Sequence, residues 1–328
     1  MYIRRVIRLG VMLRYGWKNA LFFTVWATLV TTVYVTLLAR GLDIRLPFLP
    51  LSTIGIAVAF YLGFKNNQAY ERFWEARKLW GGIANTGRTW GGQVRALVHE
   101  TATVAVEEAQ PANAPPRQRE LIYRQVAWAQ ALRVQLRRTS LYGVATTESL
   151  ESQIAPLLSP AECRAAVAST NAAAHLLHRQ FLVLPQLVAE GTLGEFSALT
   201  MMGLLKECYD LQGGCERIKN TPFPRQFAYF STVFTWIFVL LVPLGLVGEF
   251  GKLGLSGLVW LGVPFSVLIS WVFTTMEVIG DNSEDPFENY INDVPMTAIC
   301  RNLEIELREL LGETELPARI QPVHDILL

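Results

Sequence analysis

Hydrophobic positions along the chain are grouped into four long runs that contain no Asp, Glu, Lys or Arg. The runs cover residues 19–39, 46–64, 226–248 and 253–276, which is 21, 19, 23 and 24 residues. A helix rises about 1.5 Å per residue, so about 20 residues cross the hydrocarbon core of a bilayer. Each run therefore predicts a transmembrane helix, although the shortest run also suits a helix buried in a soluble core.

The segments outside these runs are also predicted to be helical. Apolar and charged residues recur at helical spacing after the second run, which predicts that this helix continues to about Leu97. Further helices are predicted over residues 119–138, 159–184 and 193–218, the second of them starting at the cap sequence Ser159-Pro160-Ala161-Glu162. Because no useful strand alternation occurs, we expect an all-α integral membrane protein with a helical domain over residues 65–225.

The composition is that of a membrane protein. The chain has 328 residues, of which 51% are hydrophobic and only 17% are charged, with a mean hydropathy of +0.27. Soluble domains carry about 25% charged residues. Four cysteines in a chain of this length do not form a disulfide scaffold, and a net charge of +1 gives no reason to expect a nucleic-acid partner.

The distribution of basic residues predicts the orientation. Residues 1–18 contain five basic residues and no acidic one, so this basic arm is expected on the cytoplasmic side. Four spans return the chain to the same side, which makes residues 65–225 and the acidic segment 277–328 cytoplasmic as well. The acidic segment holds 12 acidic and 3 basic residues. The arm and this segment either pack together or are each solvated.

Sequence patterns of known enzymes are weak or missing. Gly82–Thr89 imitates a phosphate-binding loop, but Arg88 stands where that motif has Lys, and a helix rather than a strand precedes it. The better explanation is that the glycines of this region allow close helix packing. His175 and His178 have a spacing that can chelate a metal, yet no matching ligands accompany them. We therefore predict no enzyme and no confident metal site.

The second run carries a distinctive pattern of large and small residues. Ile56, Phe60 and Phe64 recur every four residues, which places them on one stripe of a helix. Small residues mark another stripe: Ser52, Gly55, Ala59 and Gly63. The large stripe is explained either by contact with lipid or by a shared axis, where copies from several subunits form apolar rings that gate a pore.

The part of the acidic segment that directly follows the fourth run is rich in carboxylates. Residues 281–293 contain five acidic side chains, starting directly after Gly280. Carboxylate oxygens are ligands for Ca²⁺, but the spacing is not that of an EF-hand. The segment is better explained as capping helices or pairing with basic residues.

Three stretches together resemble one family of membrane proteins. Residues 63–80, Gly-Phe-Lys-Asn-Asn-Gln-Ala-Tyr-Glu-Arg-Phe-Trp-Glu-Ala-Arg-Lys-Leu-Trp, are similar to the bestrophin signature after the second span. Asp285-Pro286-Phe287 resembles the acidic Pro-Phe motif of bestrophins after the fourth span. Cys215-Glu216-Arg217-Ile218 and Thr221-Pro222 resemble the bacterial branch. The likeness covers nearly the whole chain, in matching order.

The resemblance implies a homopentameric ion channel of the bacterial inner membrane. It implies a narrow apolar neck, formed here by Ile56, Phe60 and Phe64, and a second apolar constriction at the cytoplasmic mouth. The best match for that aperture is Leu199, within the window Leu193–Leu204. Animal bestrophins conduct chloride and related anions, whereas cation conduction is possible in the bacterial branch.

The resemblance also raises the question of calcium. Animal bestrophins hold Ca²⁺ in a clasp made from the acidic loop and an N-terminal carbonyl. Asn282, Asp285 and Asp293 keep oxygen side chains at matching positions, but Tyr290 stands where an Asp is expected. We therefore expect at most a degenerate clasp, no Ca²⁺ gating and no required cofactor.

Two other functions fit parts of the sequence. The first is a membrane-anchored interaction or signalling protein whose cytoplasmic portion does the work without ion flux. The second is a secondary transporter, which is less favoured because the spans carry no charged mid-span site and no internal repeat.

Overall fold

The computed structural model describes residues 1–4, 9–44, 46–99, 114–138, 148–252 and 258–328. The regular secondary structure of the described residues is helical, apart from isolated bridges between residues near the two ends. The α-helices are α1 (Leu9–Leu38), α2 (Phe48–Leu97), α3 (Pro116–Arg137), α4 (Leu150–Ile154), α5 (Pro160–Ala168), α6 (Ala172–Ala189), α7 (Glu195–Asn220), α8 (Arg225–Gly251), α9 (Gly262–Glu284) and α10 (Met296–Leu310).

The chain divides into two compact units. The membrane unit comprises Arg4–Arg72 and Pro222–Asp285, and the second unit comprises Met1–Ile3, Phe73–Thr221 and Pro286–Leu328. In the membrane unit α1, α8 and α9 pack on one another, and the first part of α2 packs on α8. Helices α1, α2, α8 and α9 contain apolar segments long enough to cross a membrane. The protein is an all-α membrane protein with four transmembrane helices.

The ends of the transmembrane helices differ from the ends of the uncharged runs. The fourth run begins at residue 253, but residues 253–257 lie outside the described residues and α9 begins at Gly262, after a 3₁₀ turn over Leu258–Leu261. Helix α9 then passes Glu277 and ends at Glu284. An uncharged run marks where a helix can face lipid, whereas a charged residue with a buried partner does not end the helix.

The second unit is built around α3, which packs on α4, α6, α7 and α10. The sequence predicts one apolar face for α3, but the structure buries it on nearly all sides, including Arg124 and Arg133. Arg124 donates to Glu162 and Glu120, and Arg133 donates to Glu148 and Gln153. These partners explain why basic side chains are tolerated inside this unit.

The prediction of one helix from Ser159 to Leu184 is wrong. Ser159 does cap a helix, because its Oγ accepts a hydrogen bond from the Glu162 N–H over 3.3 Å. That helix, α5, ends at Ala168, and Asn171 starts α6 by accepting from the Ala174 N–H at 2.9 Å. Pro185 lies inside α6 and does not end it.

The imitation of a phosphate-binding loop lies inside α2, and its glycines make room for neighbouring helices. A Cβ atom on Gly82 would lie 2.6 Å from Leu211 of α7, and one on Gly87 would lie 2.9 Å from Leu303 of α10. The packing explanation favoured by the sequence therefore accounts for these residues.

The two described ends of the chain meet through their backbones. The Ile3 N–H donates to the Asp325 carbonyl at 3.0 Å, and the Leu327 N–H donates to the Met1 carbonyl at 2.9 Å. Main-chain pairing thus joins the first residues of the basic arm to the end of the acidic segment. Arg5 and Arg8 of the arm lie outside the described residues.

Adding a methyl group at Gly91 is expected to destabilise the protein. In Gly91→Ala the new Cβ would lie 2.5 Å from Leu307 of α10, a side chain that is itself buried. Such overpacking costs about 1–3 kcal/mol. Thermal unfolding of the detergent-purified protein, followed by circular dichroism, measures the effect.

The neighbouring Gly92 provides a matched control. A Cβ atom there meets nothing within 4 Å, and Ala is the better helix former by about 1 kcal/mol. Gly92→Ala should therefore raise the unfolding temperature slightly. Equal shifts for the two variants would contradict the close approach of α2 and α10.

Candidate functional site

Helix α2 exposes a stripe of large apolar side chains within the membrane unit. Ile56, Phe60 and Phe64 are 72%, 69% and 51% exposed in the single chain. The rings of Phe60 and Phe64 meet edge to face, with centroids 4.6 Å apart. The helical repeat thus gathers these three residues into one continuous surface, which we call the apolar stripe.

The opposite face of α2 is buried against α8. A Cβ atom on Gly55 would lie 2.7 Å from the Phe238 ring, and Leu51 approaches Gly245 so closely that a Cβ there would lie 2.3 Å away. The predicted small-residue stripe serves this contact only in part, because Ala59 and Gly63 are exposed. The buried face follows a different line: Leu51, Gly55, Val58, Leu62 and Lys65.

Lys65, the last residue of this buried face, is charged. Its side chain is 1% exposed, and its Nζ donates to Glu277 Oε1 and to Asp281 Oδ1, each over 2.6 Å. Two hydroxyl groups of α8 complete the arrangement, since Ser231 donates to Glu277 Oε2 at 3.0 Å and Thr232 donates to Glu277 Oε1 at 2.7 Å. We call these five residues the Lys65 network.

The Lys65 network fixes how α2 is rotated in the membrane unit. Lys65 directly follows Phe64 and lies about 100° from it around the helix, so the buried charge and the end of the apolar stripe lie on different faces of α2. A buried ammonium group needs its partners, and rotation of α2 would remove them. Holding Lys65 toward α8 and α9 therefore keeps the apolar stripe facing away from them.

Sequence reasoning missed this network although a signal was present. Lys65 and Glu277 directly follow the second and fourth uncharged runs. Both ends belong to the same predicted side of the membrane, and the two charges are opposite. That combination predicts a pair wherever the two helices are neighbours.

Close packing next to the network involves Asn66 of the family-like signature and Gly280 of α9. Asn66 Nδ2 donates to the Met276 carbonyl at 3.2 Å, and a Cβ on Gly280 would lie 2.2 Å from Asn66 Oδ1. Gly280 thus lets α9 approach α2 where the Lys65 network joins them.

The predicted aperture residue lies on α7 of the second unit. Leu199 is 65% exposed there, and Phe196, within the same window, is 87% exposed. Sequence reasoning did not single out Phe196. Its signal was the spacing, since it precedes Leu199 by three residues and lies one turn away along the helix.

Three acidic residues at and just after the end of α9 are paired with basic side chains. Asp285 lies 3.8 Å from Arg72, Glu284 lies 3.4 Å from Arg225, and Glu288 pairs with Lys219. Asn282 belongs to the last turn of α9, so it lies in the membrane unit with Asp285, whereas Asp293 is buried in the second unit.

The sequence was compared with known families and structures. A family model described as "Bacterial/Fungal Bestrophin protein" matches residues 4–309. The chain belongs to this bestrophin family. It is 30% identical over 286 residues to the voltage-dependent anion channel-forming protein YneE of Escherichia coli K12, covering 86% of this chain and 82% of that protein. It is 32% identical over 277 residues to the voltage-dependent anion channel-forming protein RSc3414 of Ralstonia nicotianae, covering 84% and 81%.

Solved structures agree with the family assignment. The crystal structure of a bacterial bestrophin homologue from Klebsiella pneumoniae superimposes with a TM-score of 0.76 at 27% sequence identity. The match covers 90% of this chain and 98% of that chain. The four-helix membrane unit and the helical second unit are therefore a bestrophin fold.

Four carboxylates of the acidic segment in this bestrophin are engaged by basic side chains. Ca²⁺ takes six to eight oxygen ligands, whereas Asp281, Glu284, Asp285 and Glu288 are each paired with Lys or Arg. Within the described ranges no group of three or more His, Cys, Asp or Glu side chains gathers around one point, and His175 and His178 have no further ligand beside them.

Replacing Lys65 is expected to destabilise the membrane unit strongly. Lys65→Met leaves Glu277 buried without its cation, and breaking a buried pair in this way costs about 3–5 kcal/mol. Thermal unfolding of the purified protein reports the loss, and the double variant Lys65→Met with Glu277→Gln should recover part of it.

The control for this series is Lys78→Met, which removes an exposed Lys from the same helix. A surface change of this kind stays within about 0.5 kcal/mol. If Lys65→Met unfolds at the temperature of Lys78→Met, the Lys65 network does not hold α2.

The stability of this bestrophin should depend on Asp293 in mildly acidic solution. Burial, only partly offset by backbone N–H groups of the same loop, raises the pKa of Asp293 from 3.8 to about 6. The folded state disfavours the ionised form, so this cost is absent well below pH 4 and fully present above pH 6.

Asp293→Asn removes the titrating group. Relative to this variant, the native protein should lose about 3 kcal/mol of stability as the pH rises from about 4 to about 6.5. Denaturant unfolding across that window measures the difference, and two parallel pH profiles would contradict the assignment to Asp293.

Proposed function

We propose that this bestrophin is a homopentameric channel that passes monovalent ions through a pore lined by α2. The observation that carries the proposal is the apolar stripe, with Ala59 and Gly63 exposed beside it. Around a fivefold axis, Ile56, Phe60 and Phe64 form three stacked rings, which make the neck. Small residues beside the stripe allow adjacent α2 helices to approach closely. Apolar rings resist wetting and so control ion passage.

Contact with lipid is the main alternative explanation of the stripe. Leu21, Val25 and Leu29 of α1 are also exposed in the single chain, as expected for residues that face acyl chains. Two features favour an axis for α2. Its large residues have small exposed neighbours, and the relatives that match more than four fifths of this chain are named as channel-forming proteins.

The permeating ions are proposed more broadly than the names of the relatives. Those names specify anions, and chloride is the ion that the family resemblance implies. A neck of apolar side chains presents no charge to either kind of ion. The barrier there depends on hydration and on the width of the rings, so the neck admits monovalent ions of both signs.

A second constriction is proposed on α7. Leu199 remains the candidate from the sequence, and the greater exposure of Phe196 makes it an equal candidate. Five copies of either side chain around the axis would add one apolar ring outside the neck.

We propose that the protein lies in the bacterial inner membrane with both termini cytoplasmic. The basic residues of the N-terminal arm support this orientation, as does the pairing of Met1–Ile3 with the end of the chain. The proposed mechanism is passive movement of ions down their gradient, so it includes no catalytic step, no cofactor and no nucleic-acid partner.

Shortening the middle ring of the neck should increase conductance. Phe60→Ala widens the middle ring of the proposed neck and lowers its dewetting barrier, so ion flux from liposomes loaded with purified protein is expected to rise several-fold. Phe22→Ala on α1 is the matched control, because it truncates another exposed Phe of the membrane unit outside the stripe.

Three results would count against the proposal. Flux that Phe60→Ala and Phe22→Ala change equally would exclude Phe60 from the pore. A purified particle without fivefold symmetry would exclude the neck. The absence of flux from correctly folded protein would instead favour the membrane-anchored interaction protein. In that case the second unit, which has its own hydrophobic core, would carry the function.

A further inference from the structure

The face of α2 that carries the apolar stripe continues beyond Phe64 with polar residues. Asn67 and Glu71 follow Phe60 by seven and eleven residues, which puts them within about 20° of the same helical direction at about 100° per residue. Both belong to the membrane unit, both are exposed, and α2 runs without a break through this section. Along this face of α2 the side chains therefore change from apolar to acidic within two turns after Phe64.

Glu71 differs from the other acidic residues near this end of the membrane unit. Its Oε1 accepts a hydrogen bond from Asn67 Nδ2 at 2.9 Å, and among the described residues no Lys or Arg forms an ion pair with it. In contrast, Glu277, Glu284 and Asp285 each have a basic partner. Glu71 thus keeps an uncompensated negative charge on the surface that the neck shares.

The adjacent basic residues do not cancel this charge. Lys65 is buried in its network on the opposite face of α2. The Arg72 side chain is largely buried and lies 3.8 Å from Asp285. The neutral Asn67 bond holds the carboxylate along the helix without removing its charge.

The distance from the neck brings Glu71 into electrostatic range. Seven residues separate it from Phe64, about 10 Å along the helix. This is close to the Debye length of about 8 Å at physiological ionic strength. Rings of charged side chains select ions by sign, and acidic rings favour cations.

We propose that Glu71 sets the charge preference of the channel by raising the permeability of monovalent cations relative to anions. The inference rests on the proposed function, because five copies form a ring only if α2 surrounds an axis. The apolar neck controls how readily any ion passes, and the Glu71 ring controls which sign of charge is enriched at its end.

Reversal potentials in planar bilayers under a KCl gradient test this proposal. Glu71→Gln keeps the shape of the side chain and an acceptor for Asn67 but removes the charge. The cation-to-chloride permeability ratio should fall several-fold, fall further in Glu71→Lys, and stay near the native value in Glu71→Asp. The effect should be larger in dilute than in concentrated KCl, because salt screens the ring.

Glu249→Gln is the matched control. It removes one carboxylate of the membrane unit from the end of α8, where Glu249 pairs with Lys252 at 2.6 Å, and it should leave the ratio unchanged. An unchanged ratio in conducting Glu71→Gln overturns the role of Glu71 and leaves the pore proposal standing. A native protein without current overturns both.

Discussion

The buried ammonium group of Lys65 is the constraint on which the arrangement of α2 depends. It donates to Glu277 and Asp281 of α9, and Glu277 in turn accepts from two hydroxyl groups of α8, so the pairing joins three helices. Attraction inside a low-dielectric environment is strong, and the cost of separating the partners is correspondingly high. The network therefore fixes the rotation of α2 about its own axis. One face of α2 is held against α8 and α9, and the apolar stripe remains available for contacts outside the single chain.

Close packing at small residues and ion pairs between buried charges both hold the helices together. Gly55, Gly245 and Gly280 allow close approach inside the membrane unit, and Gly82, Gly87 and Gly91 do the same inside the second unit. In a bilayer the hydrophobic effect gives little drive for helix association, so close packing and buried polar contacts carry more of the stability. Large apolar residues can then remain exposed on α2 without loss of the fold.

The acidic segment illustrates how the same side chains serve different ends. In the sequence it suggests a degenerate Ca²⁺ clasp, since carboxylates and amides are grouped there. In the structure four of its acidic residues form ion pairs with basic residues from distant parts of the chain: Asp281, Glu284, Asp285 and Glu288. Asp293 is buried apart from them, and its raised pKa reflects that burial. The paired acidic side chains are thus held by basic residues of the same chain.

The sequence by itself determined the helical character, the number of membrane spans, the family and the stripe of Ile56, Phe60 and Phe64. These follow from local spacing, from long uncharged runs and from contiguous motifs, all of which depend on neighbours along the chain. Only the tertiary structure decided which face of α2 is buried, that α3 is enclosed with its arginines, that the helix after Ser159 breaks at Asn171, and that Lys65 meets Glu277. The partners lie up to 216 residues away along the chain, and burial by such partners overrides the local preference for solvent or for continued helix.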